Sequence, residues 1–139
     1  MKIRLCFILT FVSILLFAQL NQEFVGKTFT GKIGFGCEET SSPNSCAGYQ
    51  IFLEFNFKKY NVEILEKSIS SCGKVSVRER FVTSWFFEEP NKIVFTQMKR
   101  KFSGTKILDG NVLLYKKNTL YGKPARTDED DFEFIEELD

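Results

Sequence analysis

From Thr28 onward the chain alternates apolar and polar residues with a period of two. Phe29, Gly31, Ile33 and Phe35 interleave with Thr28, Thr30, Lys32 and Gly34, the pattern of a strand buried on one face. Tyr49, Ile51, Leu53 and Phe55 repeat it against Gln50, Glu54 and Asn56. After a tight connection near Asn56–Lys59, Tyr60, Val62 and Ile64 resume the apolar face, which makes this the clearest hairpin of the chain. A polar loop runs from Cys37 through Cys46, and a second loop of Ser, Cys and Gly at 68–73 leads to Val75, Val77 and Phe81. Strand character continues through Trp85 and Phe87 and breaks at Glu88–Asn91, where Pro90 marks a turn. Ile93–Thr96 is the return strand. Around Trp85 and Phe95 both faces are apolar, so periodicity does not separate inside from outside there. Asp109-Gly110 is a favoured two-residue hairpin turn, since it tolerates positive φ at both centres; it joins Thr105–Leu108 to Asn111–Tyr115, and Leu120-Tyr121 follows.

Seven or eight short strands without a convincing central helix predict an all-β fold. The expected architecture is an antiparallel up-and-down meander closing into a small β-barrel, because closure removes exposed sheet edges. A β-sandwich is the alternative. Sixteen phenylalanines and only three prolines agree with sheet. The expected organisation is a signal peptide at 1–19, one barrel domain at 20–126 and an acidic tail at 127–139. In that tail Phe132 and Phe134 fit a strand, whereas Asp131, Ile135 and Leu138 fit a helical stripe.

The first residues set the expected compartment. Lys2 and Arg4 precede the apolar run Leu5–Phe17, and Ala18-Gln19 supplies a small residue at the expected cut. The run has the length of a secretory signal and is short for a membrane span. No other apolar stretch reaches spanning length, so no integral membrane span is expected. The mature chain is expected to be secreted or periplasmic. Cleavage would remove Cys6 and leave Cys37, Cys46 and Cys72. Hairpin arithmetic about a turn at 57–58 sets Cys46 opposite residue 69, so the three cluster at one end of the barrel and any two could pair. A Cys37–Cys46 bridge would close a short loop and contribute about 2–3 kcal/mol in an oxidising compartment. A three-thiolate site for a soft ion such as Cu(I) is the functional alternative.

Charge is unevenly spread. After removal of the signal, the body before residue 127 carries 17 bases and 10 acids, while 127–139 carries eight acids and no base. Such a pairing reads as an intramolecular clamp, an anionic partner or a solvated end. The chain has no histidine. This excludes Ser-His and Cys-His nucleophile pairs, an imidazole base and His-ligated zinc or copper. Glu38/Glu39 and Glu88/Glu89 are sequence neighbours, which on a strand point to opposite faces and form no glycosidase-like dyad. Asp128-Glu-Asp-Asp lacks the glycine and distal glutamate of an EF-hand. No catalytic residue, metal ligand or cofactor is assigned, and the chain is expected not to be an enzyme. Lys99-Arg100-Lys101 with Lys106, Lys116 and Lys117 forms a basic patch that export makes unsuited to nucleic acid.

Phe24-Val-Gly-Lys-Thr-Phe, Ile51-Phe-Leu-Glu-Phe-Asn before Tyr60-Asn-Val, Ser84-Trp85 and Asn91-Lys-Ile-Val-Phe together resemble small bacterial envelope barrels. Lipocalin-like domains, META-type domains and the N-terminal domain of the copper-resistance lipoprotein NlpE share this cadence. The chain departs where Gly26 is followed by Thr28 and Phe29 instead of a lipocalin Gly-x-Trp, and it lacks the NlpE-type Cys-x-x-Cys pair. Two functions are therefore expected in order. The first is a non-catalytic binding protein for a small apolar or amphiphilic ligand, held by Tyr49, Phe55, Tyr60, Trp85 and Phe95. The second is an extracytoplasmic protein–protein module, of inhibitor or immunity type, using disulfide-pinned loops 36–48 and 68–74. For it, an outward Trp85 or Phe86 would supply contact surface.

Overall fold

The computed structural model describes residues 22–37, 41, 43, 47–96, 110–124 and 130–138. The expected signal segment, Cys46, the Lys99–Lys101 run with Lys106, Thr105–Asp109 of the expected hairpin, Glu38/Glu39 and the Asp128-Glu129 pair lie outside the described residues.

Eight antiparallel strands follow one another around a closed barrel: β1 (Thr28–Cys37), β2 (Gly48–Phe57), β3 (Asn61–Ser70), β4 (Val75–Glu88), β5 (Lys92–Phe95), β6 (Val112–Lys116), β7 (Thr119–Gly122) and β8 (Phe132–Glu136). The order is that of an up-and-down meander, and β8 closes the ring by pairing with both β7 and β1. Closure decides for the barrel over the sandwich. It also corrects the expected boundary at 126. The acidic end is no detached tail, because the Phe132/Phe134 alternation turns Phe134 fully into the core, and Phe29↔Glu136 and Thr30↔Ile135 stitch it to β1. Strand periodicity wins there over the helical stripe.

The strands are unequal. β1 to β4 run for ten to fourteen residues and β5 to β8 for four or five. β5 accompanies only Trp85–Glu88 of β4. All eight strands therefore meet at one end, the base, and β1–β4 project beyond the short strands toward the other, the mouth.

The base is packed and plugged. Phe29, Leu53, Phe55, Phe57, Val62, Ile64, Trp85, Ile93, Phe95, Leu113, Leu120 and Phe134 fill the interior. A helical turn at 22–24 inserts Phe24 beneath them, edge-on to Tyr115 at 4.7 Å and to Trp85 at 5.9 Å between centroids. The chain is held there by Gly26 N–H to Phe57 O at 2.8 Å and Phe57 N–H to Lys27 O at 3.0 Å. Aromatic pairs of this kind contribute about 0.5–1.5 kcal/mol beyond their burial.

Two bulges reset which side chains point inward. In β1 the pairing passes from Lys32↔Phe52 to Gly34↔Ile51, so Ile33 is the extra residue. Beyond it the parity flips. Gly34 and Gly36 take the inner face, and Phe35, expected inside with Ile33, is 81% exposed. Between β3 and β4 the pairing passes from Glu66↔Glu79 to Lys67↔Val77, with Arg78 extra. Phe81, Trp85 and Phe87 lie toward the core below that bulge. Above it Ser76 turns inward, and Val75 and Val77, expected to be core-facing, are exposed outside. A bulge inserts one residue into a period-2 ladder, so every later side chain changes face.

Candidate functional site

The mouth is built from the inner faces of β2, β3 and β4. Segment 68–73, expected as a loop, is strand as far as Ser70, because Tyr49↔Ser70 and Ile51↔Ser68 continue the ladder. The turn that follows is tight: Ser70 N–H reaches Lys74 O at 3.0 Å, Gly73 N–H reaches Ser70 O at 2.8 Å, and Gly73 has φ 78°. Lys74 N–H in turn donates to Ser70 Oγ at 3.0 Å. The turn therefore fixes both the Ser70 hydroxyl and the base of the Lys74 side chain.

These elements enclose a cavity of about 310 Å³ lined by Tyr49, Ser68, Ser70, Cys72, Lys74, Ser76 and Arg78. Ser68 and Ser76 stand opposite each other in the ladder. The Arg78 guanidinium lies over the Tyr49 ring, 5.2 Å from its centroid. Its Nη1 is 3.7 Å from Oε1 of Glu66, a carboxylate 2% exposed at the floor of the mouth. The Tyr49 ring rests on Gly36, where an added Cβ would come within 2.6 Å of its Cζ and hydroxyl oxygen. Only glycine leaves that ring its seat. Tyr49 is thus clasped between strand β1 and Arg78, with its ring already engaged.

The residues expected to hold a ligand are separated by the fold. Tyr49 alone lines the mouth. Phe55, Trp85 and Phe95 are core residues, Phe55 and Phe95 stacked at 5.9 Å and Trp85 donating through Nε1 to Lys58 O at 2.9 Å. Tyr60 belongs to the β2–β3 turn and is exposed, since Phe57↔Val62 is the last hairpin pair and Tyr60 lies beyond it. The interior they were expected to line is occupied by packed side chains. Trp85 faces in and Phe86 out, which resolves the two-sided apolar pattern of β4.

Sequence reading passed over Ser68, Ser70, Lys74, Ser76 and Arg78. The signal was a polar period-2 run: Ser68 and Ser70 against Lys67 and Ile69 continue the inward parity of Val62 and Ile64, whereas Ser76 and Arg78 against Val75 and Val77 are readable only once the bulge is known.

On the outer side of the same corner lies an open depression of about 480 Å³ that includes Phe35, Cys37, Gln50, Ile69 and Ser71. Cys37 there is a free, exposed thiol. Cys72 is disulfide-bonded to a cysteine outside the described residues. It therefore offers no thiolate, and the three-thiolate copper alternative is not supported. Among the described residues no three His, Cys, Asp or Glu side chains converge as a metal site, and no helix is long and apolar enough to cross a membrane. Comparison with protein-family models, curated proteins and solved structures finds no match.

Proposed function

We propose that this chain is an exported, non-catalytic binding protein whose ligand is a small amphiphile held by its polar end in the barrel mouth. The observation that carries the reading is the cavity lined by Tyr49, Ser68, Ser70, Lys74, Ser76 and Arg78, standing above a filled core. Its volume falls at the lower end of the range for small-molecule sites. Converging hydroxyls and cations give orientation and selectivity, and the packed floor limits how deep an apolar tail can go. Such a ligand lies at the mouth and does not thread the barrel, which departs from a calyx that swallows an apolar molecule.

The test is a titration of the mature chain with alkyl amphiphiles of eight to twelve carbons, followed by amide chemical shifts. The expected perturbations concentrate on β2–β4 at Tyr49, Ser68, Ser70 and Ser76. Shifts confined to the base around Phe24 and Tyr115, or none at all, overturn the reading.

A second reading, a protein–protein module, draws on the outer face beside the mouth. Phe35, Val75 and Val77 are exposed there, more apolar surface than a solvated sheet needs. A partner bound by this face would protect Val75 and Val77 from hydrogen exchange and leave the inner serines unchanged.

A further inference from the structure

We infer that the head group taken by the mouth is an oxyanion. The inference rests on the proposed binding function and names the chemistry of its ligand. Among the described residues, every side chain lining the cavity except Cys72 carries a hydrogen-bond donor. Lys74 and Arg78 are acceptor-free cations, and Ser68, Ser70, Ser76 and Tyr49 each carry a hydroxyl. Ser70 Oγ already accepts from Lys74 N–H, which turns its hydroxyl hydrogen toward donation. The carboxylate at the floor, Glu66, is buried and lies at 3.7 Å from Arg78. No acidic group comes within ion-pair distance of Lys74 among the described residues. Among the described residues the cavity lining carries two cations, Lys74 and Arg78, and no carboxylate, the inward Glu66 and its ladder partner Glu79 standing outside that lining, so the wall that a head group meets is positive. A ligand that satisfies it brings negative charge and several acceptors.

The roles divide by position. Lys74, mobile on its stem and exposed, supplies charge. Arg78 is held between the Tyr49 ring and Glu66, and its planar fork matches an oxyanion in two directions. Glu66 is a positioning residue, acting through Arg78. The opposed Ser68 and Ser76 hydroxyls furnish neutral donors. Tyr49 is engaged on its ring, so it contributes its hydroxyl and offers no platform for stacking a sugar or base. Carboxylate, sulfate and phosphate heads share this chemistry, and the experiment separates them.

The experiment is calorimetry on the full mature chain with octanoate, octyl sulfate, octyl phosphate, octyl glucoside and octyltrimethylammonium, and with inorganic sulfate and phosphate alone. The expected result is at least about tenfold tighter binding of anionic than of neutral or cationic heads, weakening as salt is raised. Lys74→Gln removes about tenfold from the anionic heads and leaves the glucoside unchanged. Lys74 is exposed and carries no fold contact through its ammonium, so this variant folds. Arg78→Lys keeps the charge and loses the fork, and is expected to weaken sulfate and phosphate more than octanoate. Equal affinity for all heads, or no effect of Lys74→Gln, overturns the oxyanion inference and leaves the amphiphile reading standing. Binding of inorganic sulfate or phosphate with no gain from the octyl chain overturns the amphiphile reading and leaves the oxyanion inference standing.

Discussion

Single side chains carry more of this molecule than their sequence context suggests. Phe24, isolated before the first strand, closes the base of the barrel and touches Phe29, Phe57, Trp85, Phe87 and Tyr115. Tyr115 beside it donates its hydroxyl to Asn118 Oδ1 at 3.0 Å and toward Glu23 Oε1 at 3.3 Å. Burial, then the charge and hydrogen bond of Glu23, hold its phenol above the usual tyrosine value. The folded state therefore keeps the proton that the unfolded chain releases first. Its stabilising contribution is complete below the ordinary tyrosine pKa near 10 and is lost as pH rises through the higher folded value. Denaturant midpoints measured from pH 8 to 11 should fall on the alkaline side, and Tyr115→Phe should flatten that fall. An equal fall in the variant would remove Tyr115 as its cause.

At the scale of elements, registers decide the outcome. β1 and β8 approach so closely that a Cβ on Gly31 would sit 2.2 Å from the Glu133 carbonyl oxygen and 2.6 Å from Phe134 Cδ1. Backbone cannot yield there as a long side chain can, so Gly31→Ala is expected to cost about 1–3 kcal/mol by prising the closing seam apart. Urea unfolding measures the loss, and hydrogen exchange should localise it to β8 and the start of β1. Exchange that quickens evenly over all strands would contradict the seam as its origin. The β6–β7 hairpin turns on Lys117 and Asn118, with φ 51° and 62°, the paired positive values that suit the sheet's own twist. Asp109-Gly110 reads as such a turn from its dipeptide, with Asp109 outside the described residues; Lys117-Asn118 does not, because only the Lys116↔Thr119 pairing exposes it.

Across the whole molecule the uneven charge becomes a contact. Lys27 Nζ meets Glu136 Oε2 at 3.2 Å, and Thr30 Oγ1 donates to Glu137 Oε1 at 2.6 Å, so the acidic end folds onto the basic body through the strand that closes it. The disulfide of Cys72 sits at the opposite pole, in the wall of the mouth. With Cys37 free, Cys46 is the partner we propose, since it lies two residues before Gly48 in the sequence and the Gly48 carbonyl accepts from Ser71 N–H, next to Cys72, at 2.7 Å. Non-reducing peptide mapping should recover a Cys46–Cys72 fragment and one alkylatable Cys37. Reduction should cost about 2–4 kcal/mol of stability. A Cys37-containing bridge in the native protein would refute the pairing.

The sequence alone determined that the chain is a meander of antiparallel strands, because a period-2 alternation is written residue by residue and needs no distant partner. It determined the β2–β3 hairpin and the core places of Phe29, Leu53, Phe55, Val62 and Ile64 for the same reason. It also located the cysteine-bearing end, although the register there is shifted: Tyr49 pairs with Ser70, whereas a turn at 57–58 would set it nearer residue 66. The tertiary structure alone decided where periodicity breaks. The two bulges, invisible in composition, sent Phe35, Val75 and Val77 outward and brought Ser76 in. Long-range pairing also turned an acidic tail into the closing strand, and it packed the aromatics expected to cradle a ligand into a solid base. The candidate site consequently lies among serines and cations that look, along the chain, like ordinary solvated strand residues. They become a site because the residue added in β4 turns Ser76 to the inside, opposite the Ser68 that β3 already presents there, in a barrel whose opposite strands stop short.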